Sequence, residues 1–231
     1  MNTRFIITVL MVICVVASAN DVKLGLHSNG KPWGIYKSDE KDKKLPRVLL
    51  IGDSIVNVYR TPVGKALEGK AAVDAWVTGM HLNSKTLHAD LKTVLAQQSY
   101  DVIHFNIGLH GWPKGRIPEG QYESLLKKYV EVFRKQAPKA TLIWCSTTQI
   151  SMKGEPTQLD PENNPTITKR NAIAEKVMKG YGIKTDDLYK LMSDKLQLMH
   201  GDKFHWSKEG VELQSKQVVA AILSDLSGSG K

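Results

Sequence analysis

The chain has 231 residues, 42% of them hydrophobic and 24% charged, with 18 glycines, 9 prolines and 2 cysteines. That balance excludes a disordered, collagen-like, coiled-coil or disulfide-dense chain, and it suits a single α/β domain. A formal net charge of +9 would draw in polyanions such as uronate-bearing polysaccharide, lipid headgroups or nucleic acid. The lysines are scattered, however, with a local cluster only between Lys37 and Lys44, so a solvated basic surface is the simpler reading.

Arg4 is the one charged side chain among the first twenty residues, and an apolar run from Phe5 to Val16 follows it. Ala17-Ser18-Ala19 then supplies the small-x-small pattern that a signal peptidase reads. The run is shorter than the ~18 residues of a membrane span. Residues 1–19 are therefore expected to be a signal peptide cleaved near Ala19-Asn20, giving a secreted or periplasmic protein with no stable membrane insertion. Cleavage would remove Cys14 and leave Cys145 alone, so no internal disulfide is expected.

Residues 20–45 are polar, with turn signals at Asn29-Gly30-Lys31-Pro32 and Trp33-Gly34. They predict an irregular arm laid against the domain through Trp33 and Tyr36. The remainder, 46–231, reads as one domain. Arg47–Ile51 is a continuous apolar run ending in Gly52-Asp53-Ser54, the mark of a strand buried on both faces. Similar runs follow at Ala72–Val77, Asp101–Phe105 and Ala140–Cys145, with a weaker one at Gly182–Thr185.

Helical stripes lie between them. Leu87, Leu91, Val94 and Leu95 form the first, and Tyr122, Leu126, Tyr129, Val130 and Phe133 the second, ended by Pro138. Ser151–Pro165 reads as an exposed loop, Ile173–Met178 as a third stripe, and Val211–Leu226 as a last helix that Ser207 could cap. Alternating strands and helices predict a mainly parallel sheet covered on both faces, a three-layer α/β/α sandwich.

Ligands of open α/β sheets bind beyond the carboxyl ends of the strands. Ser54 follows the first strand, Gly79 the second and Asn106 the third, while Asp202 and His205 precede the last helix. These types make a set for acyl transfer. A serine hydroxyl needs a base, which His205 can be, and a carboxylate three residues earlier can hold the imidazole. The N–H groups of Ser54 and Gly79, with the Asn106 amide, could surround the oxyanion.

Gly52-Asp53-Ser54, Gly79, Asn106 and Asp202-x-x-His205, in that order, resemble the SGNH (GDSL-type) hydrolases. Asn171, Asp187-Leu188-Tyr189 and Gly210 also fit that pattern, which spans about Arg47 to Leu226. The resemblance implies an α/β/α esterase fold, Ser54 as nucleophile, Asp202 and His205 as the rest of the triad, and Gly79 and Asn106 in the oxyanion hole. The family's usual Gly-x-Asn-Asp block is here Asn106-Ile107-Gly108-Leu109-His110. That Asn-x-Gly-x-His variant is similar to a branch of secreted bacterial members, many of them carbohydrate esterases.

Met80-His81-Leu82-Asn83 follows Gly79, so Asn83 is an alternative contributor to the second block. His110 and Trp112 are candidate substrate contacts, with Tyr59, Arg60, His81 and Arg116 behind them. Asp53 is expected to brace the nucleophile turn, and Cys145 to be a buried small hydrophobe. No Gly-x-Ser-x-Gly elbow, complete P-loop, zinc-binding spacing or nucleic-acid fingerprint occurs in the sequence. No metal, cofactor or nucleic-acid partner is therefore expected.

The expected function is a secreted serine esterase that removes small ester groups, acetyl foremost, from polysaccharide. A lipid-directed esterase, lysophospholipase or thioesterase is the alternative enzyme, and a carbohydrate-binding relative without catalysis is the alternative from another class.

Overall fold

A computed structural model describes residues 34–228. The expected signal peptide and the arm through Trp33 lie outside the described residues. In chain order the main elements are β1 (Gly34–Tyr36), β2 (Arg47–Gly52), α1 (Ser54–Ala66), β3 (Ala72–Val77), α2 (Leu87–Leu95), β4 (Val102–Phe105), α3 (Tyr122–Gln136) and β5 (Thr141–Cys145). After them come β6 (Ser151–Met152), β7 (Glu155–Leu159), α4 (Asn164–Tyr181), β8 (Lys184–Asp186), α5 (Leu188–Met192) and α6 (Lys208–Gly228).

Six strands form one sheet in the order β1-β3-β2-β4-β5-β8. All neighbours are parallel except the β1 edge, which runs antiparallel to β3. Residues alternate between faces along a strand, and β2 shows it. Leu49 and Ile51 join the core with Leu87, Leu91, Leu126, Tyr129 and Phe133 of α2 and α3, whereas Val48 and Leu50 join Val56, Tyr59, Val63, Val218 and Ile222 of α1 and α6. The expected three-layer α/β/α sandwich is the architecture observed.

Four local features differ from the sequence expectation. Helix α1 has a short stripe of Val56, Tyr59 and Val63 and contains Pro62 and Gly64, which hide its period. The stretch read as an exposed loop at Ser151–Pro165 holds the β6–β7 hairpin and the start of α4. Gly182 caps α4 in the left-handed region at φ 66°, so the weak strand starts two residues later. Part of the arm is a strand, because Asp74, fully buried in β3, collects it. Asp74 accepts bonds from the Ser38 N–H, Lys37, Arg47, Gln98 and the Tyr100 hydroxyl.

A second buried polar cluster sits inside the sheet. His104 Nε2 meets Asp186 Oδ2 at 2.8 Å, and Gln217 donates to Asp186 Oδ1 at 2.7 Å. Cys145 lies with them, close enough that the three could share one ion, but the imidazole and carboxylate already satisfy each other. Burial, then the Asp186 charge, pushes the Cys145 thiol well up and keeps it protonated. Asp186→Ala strips acceptors from two donors, the buried His104 and the half-buried Gln217. It is expected to lower unfolding free energy by about 1–3 kcal/mol for each donor left without an acceptor, read by chemical denaturation.

Candidate active site

The order β3-β2-β4 makes β2 the point where the chain has turned both ways across the sheet, which opens a crevice at its carboxyl end. Gly52 closes β2 where a Cβ would meet Val56 at 2.2 Å, so only glycine allows the tight strand-to-helix turn. Asp53 caps α1 by accepting the Ile55 N–H at 3.0 Å, bracing the turn as expected. Ser54 is then the first residue of the helix. Its backbone N–H belongs to the turn that lacks intrahelical acceptors and carries positive partial charge.

His205 stands on a loop closed by the Met199–Trp206 bridge and by the His200 N–H bonded to the His205 carbonyl at 2.7 Å. Asp202 binds this loop three ways. Oδ1 accepts the N–H groups of Phe204 and His205 at 3.0 and 2.9 Å, and Oδ2 meets His205 Nδ1 at 2.5 Å. Partial burial raises the Asp202 carboxyl, but the His205 backbone and ring bonds and the Phe204 bond outweigh it, and the group stays below the usual carboxylate range. Lys203 between them has φ 92°, a left-handed conformation that costs a side chain of order 1–3 kcal/mol. The β6–β7 hairpin supports that strain: the Ser151 N–H bonds the Lys203 carbonyl, the Gly154 N–H bonds the Gly201 carbonyl, and Lys203 Nζ reaches Asp160 Oδ2 at 2.6 Å.

Beyond β4, Asn106 is buried, with Oδ1 accepting the Gly108 N–H at 2.9 Å. Its Nδ2 donates to the Cys145 carbonyl at 2.7 Å and to Thr147 Oγ1 at 3.0 Å. Asn171 clamps Thr147 in turn, accepting its N–H at 3.0 Å and donating to its carbonyl at 2.8 Å. Asn106 lines a cavity of about 20 Å³ behind the Gly52-Asp53-Ser54 turn, with Asp53, Tyr59 and Cys145.

Ser54, Gly79, His110 and His205 instead line an open cleft of about 630 Å³. Met80, Leu109, Trp112 and Phe204 give it apolar walls, with His81, Ser84 and Arg116 completing the lining. Trp112 and Phe204 lie 6.0 Å apart, ring centre to ring centre, and so join the His110 turn to the His205 loop. Burial, then Arg116, His110 and Arg170, pulls the His81 imidazole down and favours its neutral form.

The structure thus brings Ser54, Gly79, His205, His110 and Trp112 to one cleft with Asp202 behind the imidazole. Gly79 is not among the glycines with positive φ. Asn83 lies elsewhere, donating to the Arg116 carbonyl at 3.1 Å, and Tyr59 is buried beneath the turn. Arg60 stacks on Tyr36 at 3.6 Å. Thr147 and Lys203 carry no sequence signal, since a lone threonine and a lone lysine in loops look like any others.

No family model and no curated protein matches the sequence. The fold, however, is shared with solved structures. A carbohydrate esterase family 3 from Talaromyces cellulolyticus superposes with TM-score 0.66 at 12% identity, covering 80% of this chain and 99% of that one. An acetyl xylan esterase superposes with TM-score 0.63 at 16% identity, covering 76% and 99%. A serine-to-alanine mutant of an acetyl esterase, solved with an acetate ion, gives 0.65 at 11% identity, covering 80% and 100%. At these identities the likeness is one of fold, and it is the fold that the four strand-end motifs imply.

Proposed function

We propose that this protein is a serine esterase of the SGNH type which, after export, removes small ester groups, acetyl foremost, from polysaccharide. One observation carries the reading: Ser54 at a helix N-terminus and His205, backed by Asp202 at 2.5 Å, open onto the same cleft. In this mechanism Ser54 Oγ attacks the ester carbonyl while His205 Nε2 takes the hydroxyl proton, and Asp202 stabilises the imidazolium. The Ser54 and Gly79 N–H groups bind the oxyanion. Collapse expels the sugar hydroxyl, which receives the proton from His205. Water, activated by His205, then cleaves the acyl-enzyme and frees acetate. The fold shared with acetyl xylan and acetyl esterases supports the choice of acyl group.

Acetate released from aryl acetate, acetylated xylan and acetylated pectin tests the reading. Turnover that rises with acyl chain length would move the substrate to lipid, and polysaccharide binding without cleavage of any ester would make the protein a binding relative.

The cleft is lined by Arg116 and three imidazoles and, among the described residues, by no carboxylate. Such a lining favours an acidic sugar over a neutral one. Acetylated methyl galacturonide is expected to exceed acetylated methyl galactoside in kcat/KM by about two- to fivefold, the worth of one exposed ion pair. Arg116→Gln and high salt should each erase the difference. Equal rates for the two esters in the parent would refute the preference.

A further inference from the structure

Among the described residues Lys203 alone combines a side chain with a positive φ, at 92°. A lysine has no local reason to take that conformation, which glycine adopts freely, as Gly201 does two positions earlier at φ 88°. Such strain persists only where the surrounding structure over-determines it, and it gathers at functional sites. The place is a sensitive one. Lys203 lies between Asp202 and His205, whose side chains meet at 2.5 Å, and the next two residues, Phe204 and His205, line the cleft with Ser54.

The lysine side chain supplies what glycine could not. Its Nζ reaches Asp160 Oδ2 at 2.6 Å and stands 5.8 Å from the centre of the Trp112 ring, within cation–π range. Asp160 is a firm anchor between β7 and α4. Its N–H bonds the Ile150 carbonyl at 2.8 Å, its carbonyl accepts the Asn164 N–H at 3.0 Å, and Oδ1 accepts the N–H groups of Glu162 and Asn163 at 3.0 and 2.9 Å. Burial raises the Asp160 carboxyl, but the Lys203 bond, then those of Asn163 and Glu162, hold it far below the usual carboxylate range, so the pair is ionic at neutral pH.

We infer that Lys203 is a positioning residue of the triad: its ammonium ties the His205 loop to Asp160 and so fixes where the imidazole stands in the cleft. A catalytic group displaced by about 1 Å can cost on the order of 10² in rate, which is what the strained backbone and the ion pair together prevent. This role rests on the esterase reading.

Aryl acetate kinetics and thermal melts on parent, Ser54→Ala, Lys203→Gly, Lys203→Arg and Asp160→Asn test it. Lys203→Gly relieves the backbone strain while it removes the ammonium, so the turn survives and the side chain alone is tested. It should lose about ten- to a hundredfold in kcat with KM changed less than about twofold, as a displaced catalytic group does. Lys203→Arg keeps the charge at Asp160 and should recover most of that loss. Asp160→Asn should lose kcat to a similar degree, and joining it to Lys203→Gly should cost no more than the slower single variant, because both remove one bond. Lys203→Gly at parental kcat, beside an inactive Ser54→Ala, would overturn the inference and leave the esterase reading standing. Lys203→Arg as slow as Lys203→Gly, or losses that multiply in the double variant, would overturn it too. So would a fall in kcat matched by a collapse of the melting temperature in Lys203→Gly and Asp160→Asn alike, which would make the pair a matter of stability. A parent that hydrolyses no ester removes the esterase reading and the inference with it.

Discussion

Ser54→Ala is expected to lower kcat on aryl acetate by a factor of order 10⁶, with the folded protein intact. The hydroxyl is the only nucleophile that the reading provides, and neither water nor His205 can form the acyl-enzyme in its place. The structure separates this chemical role from stability. Asp53, not Ser54, caps α1, and the Gly52 turn is dictated by Val56. Alanine is also the best helix former, so the first position of α1 accepts it. Kinetics on purified parent and variant, paired with thermal melts, check both halves. A variant that keeps parental turnover would end the serine mechanism, and one that unfolds would show that the turn depends on the hydroxyl.

Asp202→Asn is expected to cost about 10⁴ in kcat while His205 stays in place. The amide can still accept the Phe204 and His205 N–H groups with its oxygen, because both go to one carboxylate oxygen, Oδ1. Its nitrogen then faces His205 Nδ1, where a donor meets a ring position that should itself donate. The imidazole is driven to the wrong tautomer and loses its basic Nε2. The pH dependence has a definite sign. Asp202 is held below its ordinary value of 3.8 by bonds that burial only partly opposes. Its stabilising contribution is therefore fully present above that value and is lost only as pH falls through the lowered one. The acid limb of kcat/KM above pH 4 should belong to another group, and it should persist in Asp202→Asn. An acid limb that vanishes with this substitution would show that Asp202 itself titrates there.

Much of this architecture is legible in the chain. The apolar runs at Arg47–Ile51, Ala72–Val77 and Asp101–Phe105 declare parallel strands, since only strands covered on both faces lack alternation. Strand-end position then makes Ser54, Gly79, Asn106 and the Asp202–His205 pair candidates from the chain alone. Helix α1 was not legible, because Pro62 and Gly64 interrupt its stripe, and Val56, Tyr59 and Val63 become a buried face only against α6. The hairpin beneath the His205 loop was hidden for a related reason. Its strands are short and mostly exposed, so no hydrophobic period marks them, and backbone bonds to Gly201 and Lys203 hold it in place.

The class of fold, the order of the strand ends and the residue types gathered there are written in the chain. Those follow from hydrophobic period and local turn chemistry, which act over a few neighbouring residues. Tertiary structure alone decided which side chain at the end of β4 meets the cleft. Asn106 and His110 are four residues apart, yet the Cys145 carbonyl and Thr147, about forty positions away, take the amide of one, while Arg116 and Arg170 hold the turn that carries the other. A buried polar group is satisfied by whatever the fold brings beside it, and those partners come from β5, α4 and the loops, whose approach no local pattern records.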